Sequence, residues 1–301
     1  MLVGFVADRV LGDPARCHPV AGLGRAAAAA ERLTYRDSRV AGAVFTTMCL
    51  GAAWGGGVAL RSLPGRIAPM LATAVVTWSV LGGTTLARVG EEMADTLDAD
   101  DIATARQLLP SLCGRDPEAL DGAGMARAAL ESIAENTADA TVGPLFWGAV
   151  AGIPGLIAYR TVNTLDAMVG YRNTRYRRFG WASARLDDLA NLAPARLTGI
   201  VVAVIGGAPG RTVRVWRRDA GGHPSPNAGV VEASFAGALG VTLGGRTEYP
   251  HGVEERPRLG DGPVPATAQL RAAARLSRRV QAVTALGAAA TAWALSRRSV
   301  R

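Results

Sequence analysis

The stretch VAGAVFTTMCLGAAWGGGVAL, residues 40–60, is followed after a short turn by IAPMLATAVVTWSVLGGTTLA, residues 67–87. Neither run contains a charged residue, and each has an arginine on both sides. A helix needs about 20 apolar residues to cross the ~30 Å hydrocarbon layer of a membrane. The turn between the runs contains Pro64 and Gly65, which interrupt helices. The two runs therefore predict a transmembrane hairpin.

Three further stretches are weaker candidates for membrane segments: 140–159, 197–210 and 280–296. A buried helix of a soluble core is the alternative for each, above all for the short run 197–210. Prolines and glycines interrupt 140–159, so a broken or re-entrant segment is expected there, with its backbone satisfied by protein or water. Because 49% of the residues are apolar and alternating β patterns are almost absent, we predict an all-α, multi-pass integral membrane protein with about four to five membrane segments.

The whole chain, residues 1–301, is interpreted as a single integral-membrane domain. It contains an N-terminal motif region (1–39), the transmembrane hairpin (40–87), a central catalytic region (88–210), and a loop region followed by a C-terminal membrane helix (211–301). Arginines concentrate in 160–196 and 211–279, and the excess of positive charge on cytoplasmic loops places both on that side. We expect the cell inner (cytoplasmic) membrane, with the site facing the cytoplasm. No signal peptide is evident at the start.

The net charge of +8 is carried by arginine, because the chain contains no lysine. A Walker A loop and chemistry through a lysine adduct are therefore excluded. The arginines flank apolar segments and are not interleaved with aromatic residues, so nucleic acid is not an expected partner. We expect them to anchor helices at the lipid surface and to bind small anions. Cys17, Cys49 and Cys113 are scattered, and they form neither a disulfide framework nor a zinc pattern.

One group of ionisable residues precedes the segment 140–159. Arg127, Glu131, Glu135 and Asp139 recur every four residues, which places them on one face of a helix. Glu131 and Glu135 are like charges one turn apart, and a cation such as Mg²⁺ would stabilise them together. Ionisable groups at the edge of hydrocarbon usually mark a site. The alternative is a solvated helix face with an ordinary ion pair between Arg127 and Glu131.

A second group follows the same segment. Asn163 with Asp166, and Asp188 with Asn191, are i,i+3 pairs, so the members of each pair can converge on one ligand. The sequence Asp187-Asp188-x-x-Asn191 is similar to the acidic boxes that hold Mg²⁺ on a phosphate in membrane enzymes. Four arginines suit phosphate or carboxylate oxygens, with anchoring at anionic lipid as the alternative: Arg172, Arg175, Arg177 and Arg178. Of these, Arg172 is the better candidate for a ligand.

Two loops complete the candidate residues. Asp13 and His18 precede the first long apolar run, and Ser225 and Asn227 precede an apolar run that contains Glu232. Asn227 is placed to cap the helix that carries Glu232. Capping does not explain a glutamate among valine, alanine and phenylalanine.

Seven sets of residues recur in the order found in one family. They are Gly12-Asp13-Pro14 with His18-Pro19-Val20; Gly114-Arg115-Asp116; Glu131-Ser-Ile-Ala-Glu135-Asn136-Thr137; Pro144-Leu-Phe; Asn163-Thr-Leu-Asp166 with Met168-Val-Gly-Tyr-Arg172; Arg185-Leu-Asp187-Asp188 with Asn191 and Pro194-Ala-Arg196; and Ser225-Pro-Asn227. From residue 8 to about 260, the chain resembles the adenosylcobinamide-phosphate synthase (cobalamin biosynthesis protein CobD/CbiB) family. It departs from the family pattern at Arg160, Ala167 and Ala140, where lysine, serine and glycine are usual.

The resemblance implies a multi-pass ligase of cobalamin (vitamin B12) biosynthesis in the inner membrane. Such enzymes attach (R)-1-amino-2-propanol or its O-phosphate to the f propionate of adenosylcobyric acid, a corrinoid, through an amide bond. A carboxylate and an amine do not condense unaided in water, so we expect activation by ATP with Mg²⁺ and no tightly bound prosthetic group. Membrane lipids are expected partners, and contact with other membrane enzymes of late cobalamin assembly is a further possibility.

Residue roles follow as expectations from the resemblance and from the residue types. The expected catalytic residues are Glu131, Glu135, Asp166, Arg172, Arg185 and Arg196, with Asp166 as base and the arginines stabilising charge on the transferred phosphoryl group. The expected residues for binding substrate or nucleotide are Asp13, His18, Arg115, Asp116, Arg127, Asn136, Asn163, Asn191, Ser225, Asn227 and Glu232. The expected magnesium ligands are Glu131, Glu135, Asp139, Asp187 and Asp188.

Two other classes of function stay open at this point. One is a Mg²⁺-dependent membrane transferase that acts on a prenyl or lipid diphosphate, suggested by the acidic box at 187–191. A second Asp-rich box would favour it, and the sequence contains none. The other is a membrane transport or assembly protein that has buried ion pairs and no catalytic turnover.

Overall fold

The computed structural model describes residues 1–13, 18–249 and 252–298. Pro14 of the first motif and Cys17 lie outside these residues. The described chain is helical apart from loops and one β-hairpin, so the all-α prediction is confirmed. The two strands lie in the region that the sequence predicts as a loop.

Thirteen α-helices and two strands are present in the described ranges. In chain order they are α1 (Leu2–Leu11), α2 (Pro19–Thr34), α3 (Arg39–Arg61), α4 (Ile67–Val80), α5 (Gly83–Asp98), α6 (Ile102–Leu108), α7 (Gly122–Thr137), α8 (Gly143–Val169), α9 (Tyr176–Phe179), α10 (Trp181–Ile205), α11 (Pro209–Asp219), α12 (Ala228–Leu239), β1 (Leu243–Tyr249), β2 (Gly252–Leu259) and α13 (Thr267–Arg298). Single 3₁₀ turns occur at Leu109–Ser111 and Ala220–Gly222.

Four helical segments are long and apolar enough to cross a membrane: Arg39–Arg61, Ile67–Asp98, Gly122–Val169 and Trp181–Ile205. The first contains the run 40–60, and the others contain the runs 67–87, 140–159 and most of 197–210. A multi-pass membrane protein is therefore confirmed. Within the described residues, α13, which carries 280–296, does not reach the apolarity of these four.

Two of these segments are not single straight helices. The run 67–87 is divided at Leu81 and Gly82, where α4 ends and α5 begins. In the segment Gly122–Val169, a π-helical turn (Ala138–Val142) joins α7 to α8. Helix α8 is kinked at Gly152, whose φ of 67° and ψ of −146° are not helical. Pro154 follows inside the same helix, where it cannot donate a backbone hydrogen bond. The prediction of a broken segment at 140–159 is confirmed, and its re-entrant course stays a prediction.

The chain divides into two compact units, each described separately below. Unit 1 comprises Met1–Gly82, Asp139–Asn191 and Thr284–Arg301, and unit 2 comprises Gly83–Ala138 and Leu192–Val283. The prediction of one integral-membrane domain stays a prediction.

In unit 1, helices α3 and α4 pack with α8, α1 packs with α4, and α2 packs on α3 and α8. One part of its core is aromatic, with the ring centroids of Phe45 and Phe179 5.1 Å apart and those of Tyr35 and Phe179 5.2 Å apart. Gly42 of α3 lies beside this cluster, and a Cβ at that position would be 1.8 Å from the backbone oxygen of Phe179. The approach of α3 to α9 therefore requires glycine at residue 42.

We expect Gly42→Ala to destabilise unit 1 by about 1–3 kcal/mol, because backbone must move to admit the methyl group. Gly51→Ala is the matched control on the same helix, since a Cβ there meets nothing within 4 Å. That control is expected to be neutral or slightly stabilising, because alanine has the higher helix propensity. Thermal unfolding of both variants in one detergent tests the prediction, and equal melting temperatures would contradict it.

In unit 2, the buried helix α12 packs against α7 and α11, and the β-hairpin contacts α11 and α12. Arg211 holds the end of α12, because its guanidinium donates to the backbone oxygens of Gly237 (2.5 Å) and Ala238 (2.9 Å). The hairpin is antiparallel and has a bulge between Leu243 and Gly245. Gly244 has a φ of 75°, and a Cβ there would be 2.0 Å from the Pro257 oxygen. Glycine at residue 244 thus permits the bulge, and the backbone N–H of this residue donates to Glu131 of α7.

Candidate functional site

Unit 2 contains a cavity of about 200 Å³ with many charged side chains in its wall. The segment before α7, α7 itself, α12 and β2 all contribute to it. Its polar and ionisable residues are Cys113, Arg115, Glu131, Ser132, Glu135, Asn136, Glu232 and Arg256. Ionisable groups gathered beside apolar helices are costly to maintain and usually mark a site.

Glu131 is buried on α7, and both of its carboxylate oxygens have donors. Arg115, also buried, forms an ion pair with Oε2. The backbone N–H of Gly244 donates to Oε1 at 2.7 Å. This arrangement differs from the predicted alternative of an i,i+4 pair with Arg127. The loop before α7 and the β-hairpin therefore both bind the carboxylate of Glu131.

Glu135 lies one turn further along α7 and faces the open part of the cavity. Its side chain is accessible to solvent, in contrast to Glu131. Within the described parts of the chain it forms no hydrogen bond or ion pair, and Arg256 and Arg115 are the positive charges near it. Glu135 is therefore the carboxylate of this cavity that is open to a ligand.

Glu232 is buried on α12 beside His223. Burial, together with the nearby charges of Glu131 and Glu135, raises the pKa of Glu232 well above its ordinary value. His223 Nδ1 accepts a hydrogen bond from the Ser225 N–H at 3.0 Å, which leaves Nε2 as the protonated nitrogen, 3.6 Å from Glu232 Oε1. Burial lowers the pKa of His223. Both shifts favour the neutral form of the side chain.

The raised pKa of Glu232 predicts a pH-dependent stability. The folded chain keeps this proton to a higher pH than the unfolded chain does, so the associated stability is present below the unfolded pKa of about 4.3 and is lost as pH rises through the folded value. Glu232→Gln cannot ionise and should therefore lose less unfolding free energy than the unmodified protein between about pH 5 and pH 8. Chemical denaturation at both pH values measures this.

Glu118→Gln is the control for that experiment, because Glu118 lies on the surface of the same unit with 77% of its side chain exposed. It should keep the pH dependence of the unmodified protein. A Glu232→Gln variant with that same pH dependence would contradict the assignment of a proton to Glu232.

Unit 1 contains a second polar cluster, formed where α8 and α10 approach. Tyr159 donates its phenol hydrogen to Asn191 Oδ1 at 2.7 Å, and Asn191 Nδ2 donates to Asp187 Oδ2 at 3.0 Å. Asp166 lies close enough to Asp187 for their charges to interact. The sequence predicts that Asp188 and Asn191 converge on one ligand, and that stays a prediction; the hydrogen-bond partner of Asn191 on α10 is Asp187, four residues earlier.

The same cluster includes charges from the N-terminal motif and the π-helical turn. Asn163 Nδ2 lies 3.5 Å from Asp139 Oδ2. Arg160 lies on α8 and is largely buried, and it is the positive charge near Asp139 and Asp13. The cluster therefore combines several carboxylates with the positive charge of Arg160.

One carboxylate oxygen of this cluster is available to a further group. Asp187 Oδ1 is buried and has no hydrogen-bond partner in the described chain. Across the described ranges, no three His, Cys, Asp or Glu side chains are placed to hold a metal ion together. Mg²⁺ commonly binds through one or two carboxylates with water and phosphate oxygens. A buried, open carboxylate oxygen fits that mode of binding.

The remaining candidate residues have varied surroundings. Arg172 is exposed, and Arg185 is an exposed residue that pairs with Asp188 at 3.6 Å. Arg196 donates to Asn227 Oδ1 at 2.8 Å. Asn227 is the N-cap residue of α12, as predicted, but its side chain makes no capping hydrogen bond. Ser225 Oγ accepts from the N–H of Ala228 instead.

Three of the candidate polar residues already have hydrogen-bond or ion-pair partners within the protein. His18 caps α2, since its Nδ1 accepts from the Val20 N–H at 3.1 Å. Asp116 Oδ1 accepts from the Glu118 N–H at 3.0 Å in the turn before α7. Arg175, one of the loop arginines, pairs with the buried Glu31 at 3.0 Å. These contacts account for His18, Asp116 and Arg175 without a ligand.

The structure thus divides the predicted residues between the units. Unit 2 holds Arg115, Asp116, Arg127, Glu131, Glu135, Asn136, Arg196, Ser225, Asn227 and Glu232, and unit 1 holds Asp13, His18, Asp139, Asn163, Asp166, Arg172, Arg185, Asp187, Asp188 and Asn191. The five predicted magnesium ligands come from both units, and their roles stay predictions.

Comparison with known proteins identifies the family. The family model described as CobD/Cbib protein matches residues 1–277. The chain belongs to the CobD/Cbib family. It is 59% identical to a cobalamin biosynthesis protein CobD of Mycobacterium tuberculosis, over 95% of this chain and 93% of the relative. Relatives of the same name from Chromobacterium violaceum (41% identity, 92% and 91% covered) and Rhodobacter capsulatus (40%, 98% of both chains) are also similar.

No solved structure matches the chain. Membership of the CobD/Cbib family confirms the resemblance and gives the chain a biosynthetic role in the formation of cobalamin. It also agrees with the membrane character of the four apolar segments.

Several residues in the two clusters of this CobD/Cbib chain were not among the predicted site residues. They are Cys113, His223 and Arg256 in unit 2, and Tyr159 and Arg160 in unit 1. Arg256 lies in a hairpin with no clear β pattern, so its sequence context gave no signal. Tyr159 lies at the end of an apolar run and there resembles an interfacial aromatic residue. Arg160 could have been found, because an arginine directly after a predicted membrane segment and before Asn163 is an unusual neighbour for carboxylates.

Proposed function

We propose that the chain joins adenosylcobyric acid to (R)-1-amino-2-propanol or its O-phosphate, with ATP and Mg²⁺, at the cytoplasmic side of the inner membrane. The product is adenosylcobinamide or its phosphate. Membership of the CobD/Cbib family and the names of the relatives support a corrinoid substrate. The observation that carries the reaction type is the unit 2 cavity, where an open carboxylate lies beside two arginines.

The size and charge of that cavity suit the smaller substrate. At about 200 Å³ it is below the roughly 300–1,000 Å³ of sites for drug-sized ligands, so it suits an amino alcohol and not a corrin ring. The carboxylate of Glu135 attracts the ammonium group of the amine. Arg115 and Arg256 provide donors for a phosphate or hydroxyl group at its other end.

Amide formation requires an activated carboxyl group and a neutral amine. In the proposed route the propionate oxygen attacks the γ-phosphorus of ATP, which gives an acyl phosphate and ADP. The amine nitrogen then attacks the acyl carbon, the C–O bond to phosphate breaks, and a base removes the extra proton from nitrogen. Glu135 in unit 2 and Asp166 in unit 1 are the candidate bases.

Magnesium is assigned mainly to the carboxylates of unit 1. Asp187 has an open oxygen, which would hold the ion together with water and phosphate oxygens. The predicted ligands Asp139 and Asp188 are not placed with it around one metal position in the described residues. In unit 2, Glu131 already has two donors and Glu135 is the more available ligand. Bound Mg²⁺ would neutralise charge on the phosphates. The predicted phosphate-binding arginines Arg172 and Arg185 are exposed and accessible for that purpose.

An assay with purified protein tests the proposal. Adenosylcobyric acid is incubated with (R)-1-amino-2-propanol or its O-phosphate, with and without ATP and MgCl₂, and the amide is measured by mass spectrometry. Amide is expected only when ATP and MgCl₂ are both present. Product without ATP would refute the activation step, and no product with either amine would refute the function. In cells, loss of the gene should block growth on cobyric acid but not on cobinamide.

A further inference from the structure

Tyr159 of α8 is linked to Asp187 of α10 by one amide side chain. Its hydroxyl group donates to Asn191 Oδ1 at 2.7 Å, and Asn191 Nδ2 donates to Asp187 Oδ2 at 3.0 Å. A rotated amide would place its oxygen against the carboxylate, where two acceptors would repel each other. The donor on Tyr159 and the acceptor on Asp187 therefore select one orientation of Asn191.

The tyrosine ring is held in place by close packing on its own helix. A Cβ at Gly143 would lie 2.2 Å from Cζ and from the hydroxyl oxygen of Tyr159, so glycine there leaves room for the phenol. Trp147 on the same helix donates its indole N–H to the Ala190 oxygen at 2.9 Å, next to Asn191 on α10. The hydrogen bonds from Trp147 to Ala190 and from Tyr159 to Asn191 thus both hold α8 against α10 at this level.

The surroundings of these hydrogen bonds are apolar. Tyr159 is 2% exposed and Asn191 is also 2% exposed. The tyrosine lines a groove of about 240 Å³ whose other residues include Leu50, Trp54 and Leu189. Hydrogen bonds in such surroundings are stronger than in water, and an unpaired partner is correspondingly costly.

The consequence for Asp187 is that its two oxygens have different roles. Oδ2 accepts from Asn191, and Oδ1 is buried with no hydrogen-bond partner in the described chain. The Asn163 amide also lies close to this carboxylate. Asp166 is near enough to repel the Asp187 carboxylate. A divalent cation at Oδ1 would relieve that repulsion. Residues that hydrogen-bond to a metal-binding side chain without contacting the metal commonly affect metal affinity by roughly 10–100-fold.

We propose that Tyr159 is a positioning residue: it orients Asn191, and Asn191 in turn holds Asp187 with one oxygen turned to a divalent cation. This inference rests on the proposed function only in assigning that cation to Mg²⁺. The hydroxyl group of Tyr159 donates to Asn191 Oδ1, so Tyr159 acts on Asp187 through that amide.

Binding of Mn²⁺ to the full-length protein in detergent, followed by electron paramagnetic resonance without ATP or corrinoid, tests the proposal. Tyr159→Phe should weaken the tightest Mn²⁺ site by about tenfold or more, and Asn191→Ala should do the same. The double variant should be no weaker than the weaker single variant, because both changes interrupt one chain of contacts. Tyr171→Phe is the control, since Tyr171 is 61% exposed on the same unit.

In the enzyme assay, Tyr159→Phe should raise the MgCl₂ concentration for half-maximal activity by about the same factor and leave the KM for the amine unchanged. A Tyr159→Phe protein that binds Mn²⁺ as tightly as the unmodified protein would overturn the positioning role. Should that variant not fold, Asn191→Ala provides the test, and normal Mn²⁺ binding by it would overturn the proposal equally. If Mn²⁺ binding changed as expected but no amide formed, the proposed reaction would be refuted and this inference would stand.

Discussion

Glu135→Gln is expected to lower the kcat for amide formation by roughly 100-fold or more, with folded protein obtained in normal yield. Glutamine keeps the size of the side chain and removes the charge that attracts an ammonium group and accepts its proton. Glu135 faces the cavity and has no hydrogen bond or ion pair among the described residues, so its replacement leaves no internal partner exposed. The loss should therefore appear in activity and not in stability.

Glu92→Gln is the matched control for this variant. Glu92 lies in the same unit on α5, with 45% of its side chain exposed and an i,i+4 pair to Arg88. Both proteins should unfold within about 1 kcal/mol of the unmodified protein, since exposed ion pairs contribute little. Full activity of Glu135→Gln, measured by mass spectrometry of the amide at saturating ATP and MgCl₂, would remove Glu135 from the mechanism.

The sequence was most informative about membrane segments. Arginines on both sides of uncharged runs located α3 and the start of α4 within one residue, because such boundaries follow from the thickness of the bilayer alone. The end of the second run was different. Leu81 and Gly82 interrupt it, although the apolar composition continues on both sides of the break. Apolar composition indicates which residues lie in the membrane. It does not indicate where tertiary contacts end a helix.

The pairing of charges was less predictable than their presence. Spacing placed Glu131 and Glu135 on one face of a helix, and both side chains do line the same cavity. It suggested Arg127 as the partner of Glu131, but the partner is Arg115, from the loop before the helix. Spacing within a helix describes local neighbours only. A residue sixteen positions away becomes a neighbour through the fold, which a single sequence does not reveal.

The β-hairpin illustrates the same limit. Its strands contain several charged residues and two glycines with positive φ, so the alternation typical of strands is weak. The hairpin nevertheless contributes Arg256 and the Gly244 N–H to the unit 2 cavity. Residues that matter to a site can thus come from segments whose own pattern is uninformative.

Arg115→Met is expected to destabilise unit 2 by about 3–5 kcal/mol, the usual effect of removing one member of a buried ion pair. The side chains of Arg115 and Glu131 are each only 4% exposed, so the remaining carboxylate could not be solvated. Methionine is similar to arginine in length, which limits the contribution of a new cavity. Denaturant unfolding in one detergent, followed by tryptophan fluorescence, measures the change.

Two further variants separate the ion pair from other effects of the substitution. In Arg115→Met/Glu131→Gln the residual charge is gone, and the amide oxygen can still accept from the Gly244 N–H, so most of the lost stability should return. Arg88→Met removes an arginine from the exposed pair with Glu92, and should cost less than about 1 kcal/mol. If the double variant were as unstable as Arg115→Met, the loss would have to come from packing of the arginine side chain, because no unpaired carboxylate would remain to explain it.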